Sequence, residues 1–190
     1  MRLGFAAAVL LRAVKVHSRC AIIPDENGLV IIPEGQTSIP ASKGADTFQS
    51  CNELKEIVIP ASVTIIEAYG FKCARDGTLL EKVTIAENSM MTEIGDQAFY
   101  NCEALVSFEV PASVHTIGAY SFSNCAFQEF TFEAESKLTL MGSKIFSGVT
   151  SLKSITIPAG VEELPSQMFS SALIENVFFE PNSKLAVING

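Results

Sequence analysis

Chemistry in this chain could reside in its five cysteines, its two histidines and its 21 carboxylates. Cys51, Cys102 and Cys125 each follow a Phe by three residues, and Cys73 follows Phe71 by two. One thiol per unit, stacked in register, would lie beside its neighbour. Such a ladder could bind a metal, act in redox chemistry, or cross-link adjacent turns. No C-x-x-C pair occurs, and no His or basic residue recurs beside the cysteines to stabilise a thiolate. The expected role is therefore that of a small buried hydrophobe, the free thiol. Disulfides between turns stay open, although the offset of Cys73 argues against a regular set. His17 and His115 lie in unrelated contexts, too few for a zinc site. His115 stands where other units carry Thr64 or Glu162, an ordinary outward turn position. There is no G-x-S-x-G elbow and no phosphate-cradling glycine loop. The expectation is a non-enzyme with no catalytic residue, no metal and no cofactor.

Stepping outward, the elements that would position these residues repeat along the chain. The pattern L-x-x-L-x-L fits Leu54/Ile57/Ile59, Leu80/Val83/Ile85, Leu105/Phe108/Val110, Phe127/Phe130/Phe132, Leu152/Ile155/Ile157 and Ile174/Val177/Phe179. Its starts are 26, 25, 22, 25 and 22 residues apart, and a weaker copy is Val30/Ile32. Pro-Ala-Ser-Val follows at 60–63 and 111–114, and Pro-Ala-Gly-Val at 158–161. A second column holds Phe48, Phe71, Phe99, Phe122, Phe146 and Phe169, with Gly44, Gly95, Gly118 and Gly142 four residues ahead of four of them. Alternate apolar residues mark a strand buried on one face, and no single unit can bury that face alone. The array therefore reads as a solenoid. Its strands stack as one parallel sheet, Pro ends each strand for want of an N–H, and Gly serves a tight bend or a positive φ. The extra residues 87–91 and 134–138 are expected to loop out on the back without disturbing the strands.

These residues resemble the BspA-like leucine-rich repeat family, the treponemal-type class of about 23 residues per repeat. Ile94-Gly-Asp-Gln-Ala-Phe-Tyr-Asn-Cys102 and Ile117-Gly-Ala-Tyr-Ser-Phe-Ser-Asn-Cys125 carry the resemblance, with Val149 and Ala172 as departures near the expected Cys. It implies a leucine-rich-repeat solenoid over residues 27–190, about six to seven coils with the last incomplete. A parallel β-sheet would line one face, with turns and short irregular or helical segments on the other. It also implies a surface-exposed or secreted protein concerned with adhesion and protein binding, and it supplies no catalytic residue.

Residues 1–26 fall outside the pattern. Arg2, the apolar run 3–11, Arg12, Lys15 and Arg19 read as a targeting peptide or as a cap on the first coil. The net charge of −8 disfavours nucleic acid as a partner, since phosphate contacts need clustered Lys and Arg. No apolar run is long enough for an integral membrane helix. What is left as a functional surface is the outward face of the strands. Its central column is Val58, Thr84, Glu109, Thr131, Thr156 and Phe178. The expectation is a binding or adhesion module that contacts a protein or glycan through that column. The alternative is a structural spacer or self-assembling segment of a longer protein, joined end to end at the uncapped last coil. Free thiols favour a reducing interior and the resemblance favours the surface; the reading sides with the surface.

Overall fold

A computed structural model describes residues 22–41, 48, 51, 53–73 and 79–189. The segment 1–21, the candidate targeting peptide or cap, and Gly44 lie outside the described residues. Strands run β1 Leu29–Ile31, β2 Ser38–Ile39, β3 Glu56–Ile59, β4 Ile65–Ile66, β5 Lys82–Ile85, β6 Glu93–Ile94 and β7 Ser107–Val110. They continue as β8 Thr116–Ile117, β9 Glu129–Phe132, β10 Leu140–Met141, β11 Ser154–Ile157, β12 Glu163–Leu164, β13 Asn176–Phe179 and β14 Val187–Ile188. Every pairing is parallel, and each joins equivalent strands of neighbouring coils. The solenoid is thus present. Its back carries the expected turns, with no α-helix among the described residues, and adds a second ladder of two-residue strands.

The odd-numbered strands alternate as the L-x-x-L-x-L spacing demands. In β7 and β11 every second side chain is buried and the others are exposed. The Phe column fills the opposite corner of each coil. Successive rings from Phe48 through Phe71, Phe99, Phe122, Phe146 and Phe169 lie 5.0, 5.3, 5.4, 6.3 and 5.8 Å apart. The last four pairs are stacked, a geometry favourable for offset aromatic rings. Pro-Ala-Ser-Val is a β-turn, closed by Val63 N–H to Pro60 O and Val114 N–H to Pro111 O.

Glycine at 95, 118 and 142 is explained by close approach, because none of the three has a positive φ. A Cβ on Gly95 would stand 2.7 Å from Ala68 N, and one on Gly118 2.5 Å from Asp96 N, both backbone atoms of the preceding coil. Coils pack so tightly there that no side chain fits.

Three ladders of backbone hydrogen bonds tie the coils, and they differ in continuity. From Tyr69 onward the Phe corner is bonded from each coil to the next. Phe71 N–H donates to Ala98 O at 2.8 Å, Phe99 N–H to Ser121 O at 2.8 Å, Asn124 N–H to Ser147 O at 2.8 Å and Phe146 N–H to Met168 O at 3.0 Å. The short strands form a sheet β2-β4-β6-β8-β10, with β12-β14 separate. The long strands do not form the single sheet expected. They fall into three blocks, β1-β3-β5, β7-β9 and β11-β13.

Both interruptions follow a coil with a lengthened turn, where Asn88 and Glu135 adopt a left-handed φ of 56° and 59°. The next coil in each case ends its strand in proline. Ala86, Glu133 and Glu180 donate N–H bonds back to Ile59, Val110 and Ile157. Pro60, Pro111 and Pro158 hold the equivalent positions and have no proton to give; β3 still pairs with β1 ahead of Pro60, so the proline removes one bond and the ladder opens only where it also follows a lengthened turn. The longer turns were expected to leave the strands undisturbed; instead the strand ladder opens directly after each of them.

Candidate functional site

Cys73 and Cys102 form a disulfide between adjacent coils, with Cα atoms 5.0 Å apart, within bridging reach. The free-thiol reading is therefore corrected for these two, and for Cys51, which is disulfide-bonded as well. The offset of Cys73 does not argue against pairing; placed two residues after its Phe, it meets Cys102, placed three after the next, on the diagonal. Among the described residues Cys125 is the free thiol. It is buried and donates to Phe99 O at 3.2 Å. Burial pushes its pKa well above the ordinary thiol value, so it stays protonated and unreactive. Among the described residues no group of His, Cys, Asp and Glu is arranged to hold a metal. His115 is exposed on its turn.

The outward strand face holds the whole expected column, divided by the interruptions into three pairs. Val58 opposes Thr84, Glu109 opposes Thr131, and Thr156 opposes Phe178, each pair within one block. Val58 and Thr84 are half-buried, while Glu109, Thr131 and Thr156 are exposed. Phe178 is 55% exposed, unusual for an aromatic side chain. Lys82 Nζ lies 2.6 Å from Glu56 Oε1, and Thr84 Oγ1 donates weakly to the same oxygen at 3.4 Å.

Grooves open where the ladder fails. One of about 330 Å³ spans β9 and β11, with Thr131, Phe132, Ser154, Thr156 and Glu180 on its walls. Another of about 320 Å³ spans β5, β7 and β9 between Lys82, Ser107, Glu109 and Thr131. A third of about 210 Å³ continues it past Thr84, Glu109, Pro111 and Glu133. The two breaks are equivalent: Thr84, Ser107 and Glu133 at the first match Thr131, Ser154 and Glu180 at the second, each 47 residues on. Glu133 and Glu180 are held in place, since Oε2 of each accepts an N–H, from Ala112 and Ala159 respectively, at 2.9 Å. Glu133 and Glu180 are absent from the sequence-derived column. The signal for them is the alternation of Pro with Ala or Glu just after each strand. This face offers hydroxyls, carboxylates and unbonded strand backbone, with no nucleophile–base pair.

Comparison with known proteins agrees with this architecture. The BspA type leucine rich repeat region matches in six copies over residues 29–132 and 76–188. The chain belongs to this family. Among solved structures it is similar to the pneumococcal vaccine antigen PcpA, at 28% identity and a TM-score of 0.63, over 68% of this chain and 31% of that one. It is also similar to a leucine-rich repeat protein of T. pallidum, at 24% identity and a TM-score of 0.60, over 86% of this chain and 69% of that one. The chain thus spans about a third of the length of the PcpA structure. A comparison with curated proteins gave no match.

Proposed function

We propose that this chain is a non-enzymatic binding or adhesion module, held at the cell surface or secreted, that contacts a protein or glycan through its outward strand face. The observation that carries the reading is the pair of grooves at the two breaks in the strand ladder. They bring Glu109, Thr131 and Thr156 to open, concave surface with hydrogen-bonding capacity not consumed by the fold. Repeat solenoids present extended concave surfaces of this kind to their partners. The Cys73–Cys102 disulfide supports an oxidising location, because such bonds persist outside the reducing cytosol. The similarity to a vaccine antigen supports the same location.

The test is binding of the purified chain to an array of extracellular-matrix proteins and glycans. The double variant Glu109→Lys/Thr131→Lys should fold as the parent does and lose at least tenfold in affinity for whatever the parent retains. Undiminished binding by that variant would remove the strand face from the account. A second reading, a self-assembling repeat segment, is favoured by the outward-facing Phe178 of β13, an exposed aromatic on the strand face. Light scattering that shows a strict monomer at high concentration eliminates it.

A further inference from the structure

The corner of the coil opposite the strand face carries an unusual set of side chains. Two positions there take left-handed backbone in coil after coil. The position two residues after the column Phe holds Asn101, Asn124, Gly148 and Ser171, with φ of 63°, 57°, 75° and 57°. These are mostly the residue types that tolerate such a backbone. The position two residues before the Phe holds Tyr69, Gln97, Tyr120, Lys144 and Gln167, with φ of 64°, 54°, 55°, 57° and 54°. None of these five is Gly or Asn. The fold requires the left-handed turn at both positions, and at the second it accepts bulky side chains at a conformational cost. Packing does not explain them, because Tyr69, Gln97, Tyr120 and Lys144 are only half-buried and Gln167 is exposed.

These side chains join into one stripe. All three tyrosines of the chain stand on it, Tyr100 lying one residue after its Phe. Lys72 Nζ sits 5.1 Å from the centre of the Tyr69 ring and 5.2 Å from that of Tyr100. Lys144 Nζ sits 5.3 Å from the centre of Tyr120. Gln97 Nε2 donates to the Tyr69 hydroxyl at 3.3 Å. The ion pairs among the described residues use Lys82 and Lys153, so Lys72 and Lys144 have no described carboxylate at bonding distance. Asp96, next to Gln97, is engaged within the fold: its Oδ1 accepts the Ala119 N–H at 2.7 Å.

We propose that this stripe is a second binding surface, separate from the strand face, and that it takes a linear acidic glycan. Tyrosine rings offer flat apolar faces and hydroxyls, the glutamine amides offer paired donors and acceptors, and the two ammonium groups attract carboxylate or sulfate. The stripe advances one coil at a time, which suits a polymer with repeating units. An acidic peptide fits less well. The backbone N–H groups that a peptide strand would pair with are spent between coils: Tyr69 N–H donates to Asp96 O, Gln97 N–H to Ala119 O, Tyr120 N–H to Ser143 O and Lys144 N–H to Ser166 O.

The test is affinity electrophoresis of the whole chain through gels containing polygalacturonate, neutral dextran or poly-glutamate. The account expects retardation by polygalacturonate alone, weakened by added salt. Tyr69→Asn/Tyr120→Asn should lose at least tenfold in affinity while its melting temperature stays level or rises, since Asn suits the left-handed backbone better than Tyr. Lys72→Gln/Lys144→Gln should lose affinity likewise, and Glu109→Lys/Thr131→Lys should keep it. No retardation of the parent chain, equal retardation by dextran, or equal retardation by poly-glutamate would each overturn the proposal. So would a fall in melting temperature on Tyr→Asn, because the tyrosines would then be serving the fold.

Discussion

The Phe corner and the strand face are built from the same coils, yet one is bonded from coil to coil without a gap and the other is broken twice. At the Phe corner, rings from Phe71 to Phe169 stack at 5.3–6.3 Å and backbone bonds pass from Phe71 to Met168. On the strand face the ladder stops between β5 and β7 and again between β9 and β11. Stability therefore resides at the corner, and the strand face is free to open and to vary. At the first break the short strands β6 and β8 remain paired, so the groove opens on one side only. At the second, β10 and β12 also part, and the Phe corner alone carries the continuous bonding.

Substitutions on the two sides should separate cleanly. Phe122→Ala empties a fully buried site stacked against Phe99 and Phe146, and should cost about 3–5 kcal/mol in urea unfolding. A loss below about 1 kcal/mol would mean that the corner does not carry the fold. Reduction of Cys73–Cys102, which closes a separation of 29 residues, should lower stability by about 3 kcal/mol. Under those conditions the Cys125 thiol should still resist labelling in the native state, because burial keeps it protonated; prompt labelling would contradict its placement. Gly142→Ala should cost roughly 1–3 kcal/mol by overpacking against the Ala119 backbone. Glu109→Lys, on the exposed strand face, should shift stability by no more than about 0.5 kcal/mol. A large effect there would show that the open face is structural after all.

Much of this was legible in the sequence. Leu54, Ile57 and Ile59 announce a strand by spacing alone, and the Phe column announces the far corner, because both patterns depend only on which side chains must be buried. The outward column follows from the same periodicity, while the family resemblance rests on the motifs at Ile94–Cys102 and Ile117–Cys125. The interruptions were not legible, because they depend on bonds between coils. Each Pro-Ala read locally as the end of a strand, and Pro60 is no more than that, since β3 still pairs with β1; at Pro111 and Pro158 the missing N–H coincides with a lengthened turn in the coil before, and there the ladder opens. The Cys73–Cys102 bridge was missed because an offset along the chain reads as irregularity, whereas between stacked coils it is a diagonal. The tyrosine stripe was invisible for a related reason: side-chain identity does not reveal the sign of φ at positions 69 and 120.

Residue-resolved hydrogen exchange of the native chain tests the central contrast most directly. In a parallel ladder alternate N–H groups face the same neighbour. The amides of β7 that face β5, and of β11 that face β9, should exchange far faster than those of β9 facing β7 and β13 facing β11. The amides of Phe71, Phe99 and Phe146 should be protected throughout. Uniform protection along all the long strands would mean that the ladder is closed, and the grooves that carry the functional reading would not exist.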